Sequence, residues 1–211
     1  MSRATDTNRY TDDSRIIALR QELSEYSVRS FQRSLISGTG GNLSVRVPDT
    51  DMALVTPSGI SLAEVEPEDN ILCNLKGEVL DSPQGYKPSK ETSFHLALYM
   101  MRPEAMAVVH VHPPYATAYA NQKKELPLVT VSAQVKLKFV PCIKSALPGS
   151  KELRELVIKG IREHPQAVAM LMEAHGILVL GPDLKSAYYL ADLVEDTAKI
   201  AFITADIADK S

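Results

Sequence analysis

Apolar side chains recur at Ile16, Ile17, Leu19, Leu23, Tyr26 and Phe31 with charges between them. That spacing predicts an amphipathic helix over residues 12–34, with Asp12 or Asp13 as its cap. After the polar turn SGTGGN (37–42) the period changes. NLSVRV (42–47) and ALVTP (53–57) read as strands, the second ended by Pro57 and Gly59. NILCNL (70–75) and EVL (78–80) flank Lys76-Gly77, which predicts a hairpin. Pro88 and Ser89 open a predicted helix, SKETSFHLALYMMR (89–102), which stops before Pro103. AMAVVHVH (105–112) is a strand, PPYATAYANQ (113–122) a short helix and KLKFVPCI (136–143) a further strand. Gly149 and Ser150 start the helix KELRELVIKGIREH (151–164). AVAMLMEAHGILVLG (167–181) predicts two strands broken at His175-Gly176, and Pro182 to Ile207 a long amphipathic helix.

Interleaved strands and helices make the class α/β. Several neighbouring strands are joined by turns too short for a parallel crossover, so their pairing must be antiparallel. The expectation is a three-layer α/β/α single domain with a largely antiparallel central sheet and helices on both faces. It is not a dinucleotide-binding fold, because GTGGN follows a helix and precedes a strand, the reverse of the required order. A length of 211 residues suits one domain over 12–211, and the polar start MSRATDTNRYT suits a flexible arm over 1–11.

Composition narrows the function classes. A formal charge of −3 gives no electrostatic reason to bind nucleic acid or an anionic membrane. No apolar run is long enough to span a bilayer, and the N-terminus has no apolar core of a signal peptide. Cys73 and Cys142 sit singly in apolar contexts, which suits reduced thiols and a cytoplasmic location.

The chemistry gathers around histidine. His110 and His112 lie two apart on a predicted strand, so both imidazoles face one side. His175 stands at a strand break, and Glu91 opens a helix. Three imidazoles would leave a coordination position open for substrate, with Glu91 as a displaceable fourth ligand. Imidazole and carboxylate without thiolate suit Zn, Mn, Fe or Co. Spacing alone leaves a rival open, because His95 lies one turn after Glu91 on the same helix face. His164 reads as an exposed helix end. Three turns offer anion sites: SGTGGN as a backbone nest, TPSG (56–59) with a hydroxyl, and PSKE (88–91), with Ser89 and Lys90 at a helix N-terminus. Together these suggest a phosphorylated substrate chelated by a metal.

The ordered set GTGGNLSVR, TPSG, KPSKE, VVHVHPPYATA and EAHG resembles the class II aldolase/adducin head family over residues 12–207. The resemblance implies an α/β/α fold, a homotetramer, and Zn2+ (or Mn2+ or Co2+) held by His110, His112 and His175. It implies Glu91 as an acidic ligand that also transfers protons. It places Gly41, Asn42, Ser58, Gly59 and Ser89 in a phosphate cradle. Lys90 stands where the aldolase pattern has a second serine, adding a point charge beside a phosphate or a substrate carboxylate. Val131 falls where that pattern has a catalytic tyrosine, and a C-terminal tyrosine arm is missing. Epimerases of the family carry Asp at the Glu91 position. The KPSKE variant is similar to the 3-oxo-tetronate 4-phosphate decarboxylase branch. The implied activity is carbon–carbon cleavage of a small phosphorylated sugar or sugar acid through a metal-stabilised enediolate, releasing dihydroxyacetone phosphate. The alternatives are a metal-binding, non-catalytic oligomeric scaffold, or a dehydratase or epimerase on a sugar phosphate.

Overall fold

The computed structural model describes residue 10 and residues 12–210. Apart from Tyr10, the expected arm over 1–11 lies outside the described residues. Helix α1 (Ser14–Gln32) is capped by Asp13, whose side chain accepts the Arg15 N–H at 2.9 Å. Strands β1 (Asn42–Arg46), β2 (Met52–Val55), β3 (Ile71–Asn74) and β4 (Val79–Asp81) follow. Helix α2 (Thr92–Met101), strand β5 (Ala107–Val111) and helices α3 (Pro114–Ala120) and α4 (Val131–Lys136) come next. Strand β6 (Cys142–Ile143), helix α5 (Lys151–Glu163), strands β7 (Ala169–Met172) and β8 (Gly176–Gly181) and helix α6 (Leu184–Asp209) complete the chain.

The strands form one eight-stranded sheet in the order β4-β3-β2-β1-β5-β8-β7-β6. Every pairing is antiparallel except β6 with β7. The expected α/β class and largely antiparallel sheet are therefore what the chain adopts. Strand alternation sorts side chains onto two faces. Leu43, Val45, Val109, Val111, Ile177 and Val179 pack with Leu23, Ala191 and Val194 of α1 and α6. Val108, Leu178 and Leu180 pack with Phe94 and Leu98 of α2 and Val157 of α5. The two clusters give the three layers.

Two expectations need correction. The strand predicted over 136–143 is confined to Cys142–Ile143, and Lys136 is instead the last residue of α4. The Thr130 hydroxyl accepts the Ala133 N–H at 3.3 Å and starts a helix. Pro141 then supplies no amide for a ladder. Val131 and Val135 lie exposed on α4. The helix predicted from Ser89 begins at Thr92 instead, with Glu91 at the N-cap position. Ser89 and Lys90 belong to the turn before it, where the Ser89 hydroxyl accepts the Glu91 N–H at 3.3 Å. Among the described residues, no helix is long and apolar enough to cross a membrane.

Candidate active site

The α2 face of the sheet is apolar except near one end. There β1 contributes Asn42 and Ser44, and β5 contributes His110, which pairs with Asn42 across the ladder. All three are buried. A buried polar group needs partners, and α2 supplies them. Asn42 Nδ2 donates to Glu91 Oε2 at 2.8 Å. Ser44 Oγ lies 2.8 Å from His95 Nδ1 and 2.6 Å from the Tyr99 hydroxyl. Successive inward positions of one strand thus meet successive turns of one helix, and Glu91 is held at the turn nearest the sheet end.

His110 is fully buried, and its Nδ1 lies 2.9 Å from the Ile177 carbonyl. A carbonyl can only accept, so Nδ1 carries a proton and Nε2 is the nitrogen turned toward Glu91. His112 lies one residue past the end of β5, yet its Nε2 is 3.0 Å from His110 Nε2. His175 arrives from the β7–β8 turn, with Nδ1 2.9 Å from Ser145 Oγ. Glu91 Oε2 is 3.2 Å from His110 Nε2, and Oε1 is 3.3 Å from His175 Nε2. One nitrogen from each of the three imidazoles falls within 4.8 Å of the others.

Burial, then the field of His110 and His175, pushes His112 down to about 3, and burial with His110 pushes His175 down to about 4. Both rings are therefore neutral near pH 7, with lone pairs to give. Burial alone would raise the Glu91 carboxyl. The bond and charge of His110, the Asn42 amide and the field of His175 outweigh it and hold the group below the ordinary carboxylate range. Glu91 Oε1 and His175 Nε2 are buried, face each other and make no hydrogen bond among the described residues. Two electron-rich atoms in that position fit a shared cation. The donor set, neutral imidazoles with one carboxylate, suits a borderline divalent metal.

The rival pair of Glu91 with His95 is not what the geometry brings together. His95 is buried behind the site, with Nδ1 engaged by Ser44, and it is not part of the converging trio. Burial, then His110, pushes its pKa down to about 3.

The three turns read from the sequence as anion sites are stitched side by side. Pro57 bridges Pro88, the Ser58 N–H donates to the Lys87 carbonyl at 2.9 Å, and the Ser89 N–H donates to the Thr56 carbonyl at 3.1 Å. Thr56 in turn exchanges bonds with Leu43 of β1. As a result Gly41, Asn42, Ser58, Gly59, Ser89, Lys90, Glu91, His112 and His175 all line one cleft of about 250 Å³. Of the candidate residues, His110 alone stands behind its wall. The cleft also includes Thr39, Gly40 and Pro148. The first two sit inside the quoted glycine turn, whereas nothing local to Pro148 marks it. A larger cavity of about 630 Å³ between α1, α4 and α6, lined by Arg33, Lys136, Tyr189 and Asp192, shares no residue with this cleft and contains no histidine. Chemistry, not size, selects the smaller one. Val131 is 76% exposed and outside the cleft, and among the described residues no tyrosine lines it.

Gly176 makes the histidine geometry possible. A Cβ there would lie 2.4 Å from the Val111 carbonyl oxygen and 2.6 Å from His112 Cδ2. The first atom is backbone of the last residue of β5 and the second belongs to the residue after it, so Gly176→Ala is expected to destabilise the fold by about 1–3 kcal/mol. Urea unfolding of the metal-free protein checks this, and an unchanged midpoint would contradict it.

Comparison with known proteins places this arrangement. Residues 21–202 match the family model for the class II aldolase and adducin N-terminal domain. The chain belongs to the class II aldolase family. It is 32% identical over 190 residues to 5-deoxy-D-ribulose 1-phosphate aldolase of Bacillus thuringiensis serovar kurstaki, covering 90% of this chain and 87% of that one. It is also 32% identical over 194 residues to 3-oxo-tetronate 4-phosphate decarboxylase of Escherichia coli K12, covering 90% and 88%. The solved structure of L-fuculose-1-phosphate aldolase from Thermus thermophilus superposes with a TM-score of 0.79 at 28% identity, over 94% of this chain and 98% of that one. Its class II aldolase relatives thus include proteins named for aldol cleavage and for decarboxylation.

Proposed function

We propose that this class II aldolase-family protein is a metal-dependent carbon–carbon lyase acting on a small phosphorylated sugar or sugar acid. One observation carries the reading: His112, His175, Glu91 and all three turns line a single cleft, and His110 joins the two histidines from just behind its wall. His110, His112 and His175, with Glu91, would hold Zn2+ or a similar divalent cation such as Mn2+ or Co2+. A cation bound there supplies Lewis-acid stabilisation of the negative charge that forms beside a carbonyl when the C–C bond breaks.

The chain's own residues do the rest. The turns carrying Gly41, Asn42, Ser58, Gly59 and Ser89 bind the phosphate and so orient the reacting end of the substrate. Glu91 is divided in function between its two oxygens. Oε2 is fixed by the Asn42 amide, while Oε1 has no donor among the described residues and is free to take or return a proton at the carbon beside the carbonyl. Lys90 places a positive charge at the cleft. That charge suits a phosphate or a substrate carboxylate, and among the described residues no tyrosine lines the cleft to protonate a departing alkoxide, which favours loss of CO2 over loss of an aldehyde. Assembly as a homotetramer and a cytoplasmic location belong to the same proposal, and the two free thiols accord with a reducing compartment.

The test is proton NMR of dihydroxyacetone phosphate in heavy water with the zinc-loaded protein. Washout of one C–H next to the carbonyl is the expected result. No washout, with protein folded and zinc bound, would overturn the lyase reading in favour of a scaffold or a dehydratase. Supplying 3-oxo-tetronate 4-phosphate and, separately, short aldehydes then separates decarboxylation from aldol chemistry.

A further inference from the structure

The segment 144–149, between β6 and α5, reaches both ends of the cleft. At one end Ser145 Oγ lies 2.9 Å from His175 Nδ1. At the other, Pro148 lines the cleft and Gly149 presses on Lys90. A Cβ at Gly149 would lie 2.8 Å from Lys90 Cβ and 3.1 Å from the Lys90 carbonyl oxygen, so no larger residue fits without moving Lys90. The segment is fixed at both ends. Before it, the Glu173 N–H donates to the Ile143 carbonyl at 2.9 Å. After it, Ser150 caps α5 by accepting the Leu153 N–H at 3.0 Å. Ser145 is thus carried on anchored backbone.

We infer that Ser145 is a positioning residue for the metal centre, accepting the Nδ1 proton of His175 so that the Nε2 lone pair turns toward Glu91 and the other two imidazoles. The inference rests on the metal reading proposed above. An imidazole can present a lone pair on only one nitrogen when neutral, so whatever bonds Nδ1 decides what Nε2 can do. His110 is set by a carbonyl, which can only accept. His175 is set by a hydroxyl, which can also donate, so its tautomer is adjustable where that of His110 is not. Loss of such an outer partner ordinarily weakens metal binding without removing a ligand.

The experiment compares zinc affinity, by competition with a chromogenic chelator, in the parent, Ser145→Ala, Ser145→Thr and His112→Ala proteins. Ser145→Ala should lose roughly 10- to 100-fold in zinc affinity, and Ser145→Thr, which keeps the hydroxyl, should recover it. In the zinc-loaded parent, imidazole NMR should show a slowly exchanging His175 Nδ1 proton that Ser145→Ala loses. A Ser145→Ala protein that holds zinc as tightly as a zinc-binding parent, while His112→Ala does not, overturns this inference and leaves the metal reading standing. Failure of Ser145→Thr to recover the affinity lost in Ser145→Ala also overturns it. A parent that does not bind zinc overturns both.

Discussion

The His112→Ala protein is expected to fold, to lose zinc under conditions in which the parent keeps it, and to show no proton washout from dihydroxyacetone phosphate. His112 supplies a neutral Nε2 lone pair 3.0 Å from His110 Nε2, and no other described side chain can replace it there. On the proposed metal reading its loss removes a ligand, so the fall in affinity should exceed the roughly 10- to 100-fold that loss of an outer partner costs. The ring borders an open cleft, so water can fill the space and the stability change should be about 1 kcal/mol or less. His110→Ala would be a poorer probe. His110 is fully buried, packs edge-on against Phe94 at 5.6 Å and bonds the Ile177 carbonyl. Truncating it would cost about 2–4 kcal/mol and confuse unfolding with loss of the metal. Chelator competition and thermal unfolding, run on the same His112→Ala sample, separate the two effects. Full zinc affinity with full exchange would remove His112 from the ligand set.

The fold was legible where local chemistry and the hydrophobic period agree. Asp13 and Ser150 cap helices that the period already marks, and Lys76-Gly77 closes a hairpin between two short apolar runs. Short connections then force the antiparallel sheet. Legibility failed over residues 136–143, where KLKFVPCI suggested a strand along its whole length. Thr130 starts a helix that runs to Lys136 and whose Val131 and Val135 face outward, a choice set by tertiary position rather than period. The candidate site divides in the same way. His110 and His112 share a face by strand spacing, so the pair was visible in the chain. The choice of Glu91 with His175 over Glu91 with His95 was open to spacing. It is settled in space by Ser44, which engages His95 across 51 residues of sequence. The partners that orient the imidazoles, the Ile177 carbonyl and Ser145, lie 67 and 30 residues from their histidines. A backbone carbonyl and a lone serine carry no motif, so only the folded sheet reveals them.

Glu91→Gln should separate binding from chemistry more sharply than any change to a histidine. The substitution keeps the size and planarity of the side chain. Its amide oxygen can still accept from Asn42 Nδ2, the bond now measured at 2.8 Å to Oε2. The three imidazoles are untouched, so zinc should remain bound and the fold intact. What disappears is the oxygen that faces His175 Nε2 without a donor, the atom placed to take a proton. An amide has no basic lone pair comparable to a carboxylate, and general acid–base groups contribute about 10²- to 10⁴-fold. The washout rate should therefore fall by about that factor, while the Michaelis constant for dihydroxyacetone phosphate, set mainly by the turns at Gly41, Ser58 and Ser89, changes little. Equal losses in exchange and in zinc content would mean that Glu91 acts as a ligand only. Exchange at the parent rate with zinc retained would assign proton transfer to a different group. A lost rate beside an intact metal is the pattern expected of a carboxylate that leaves the cation to move a proton.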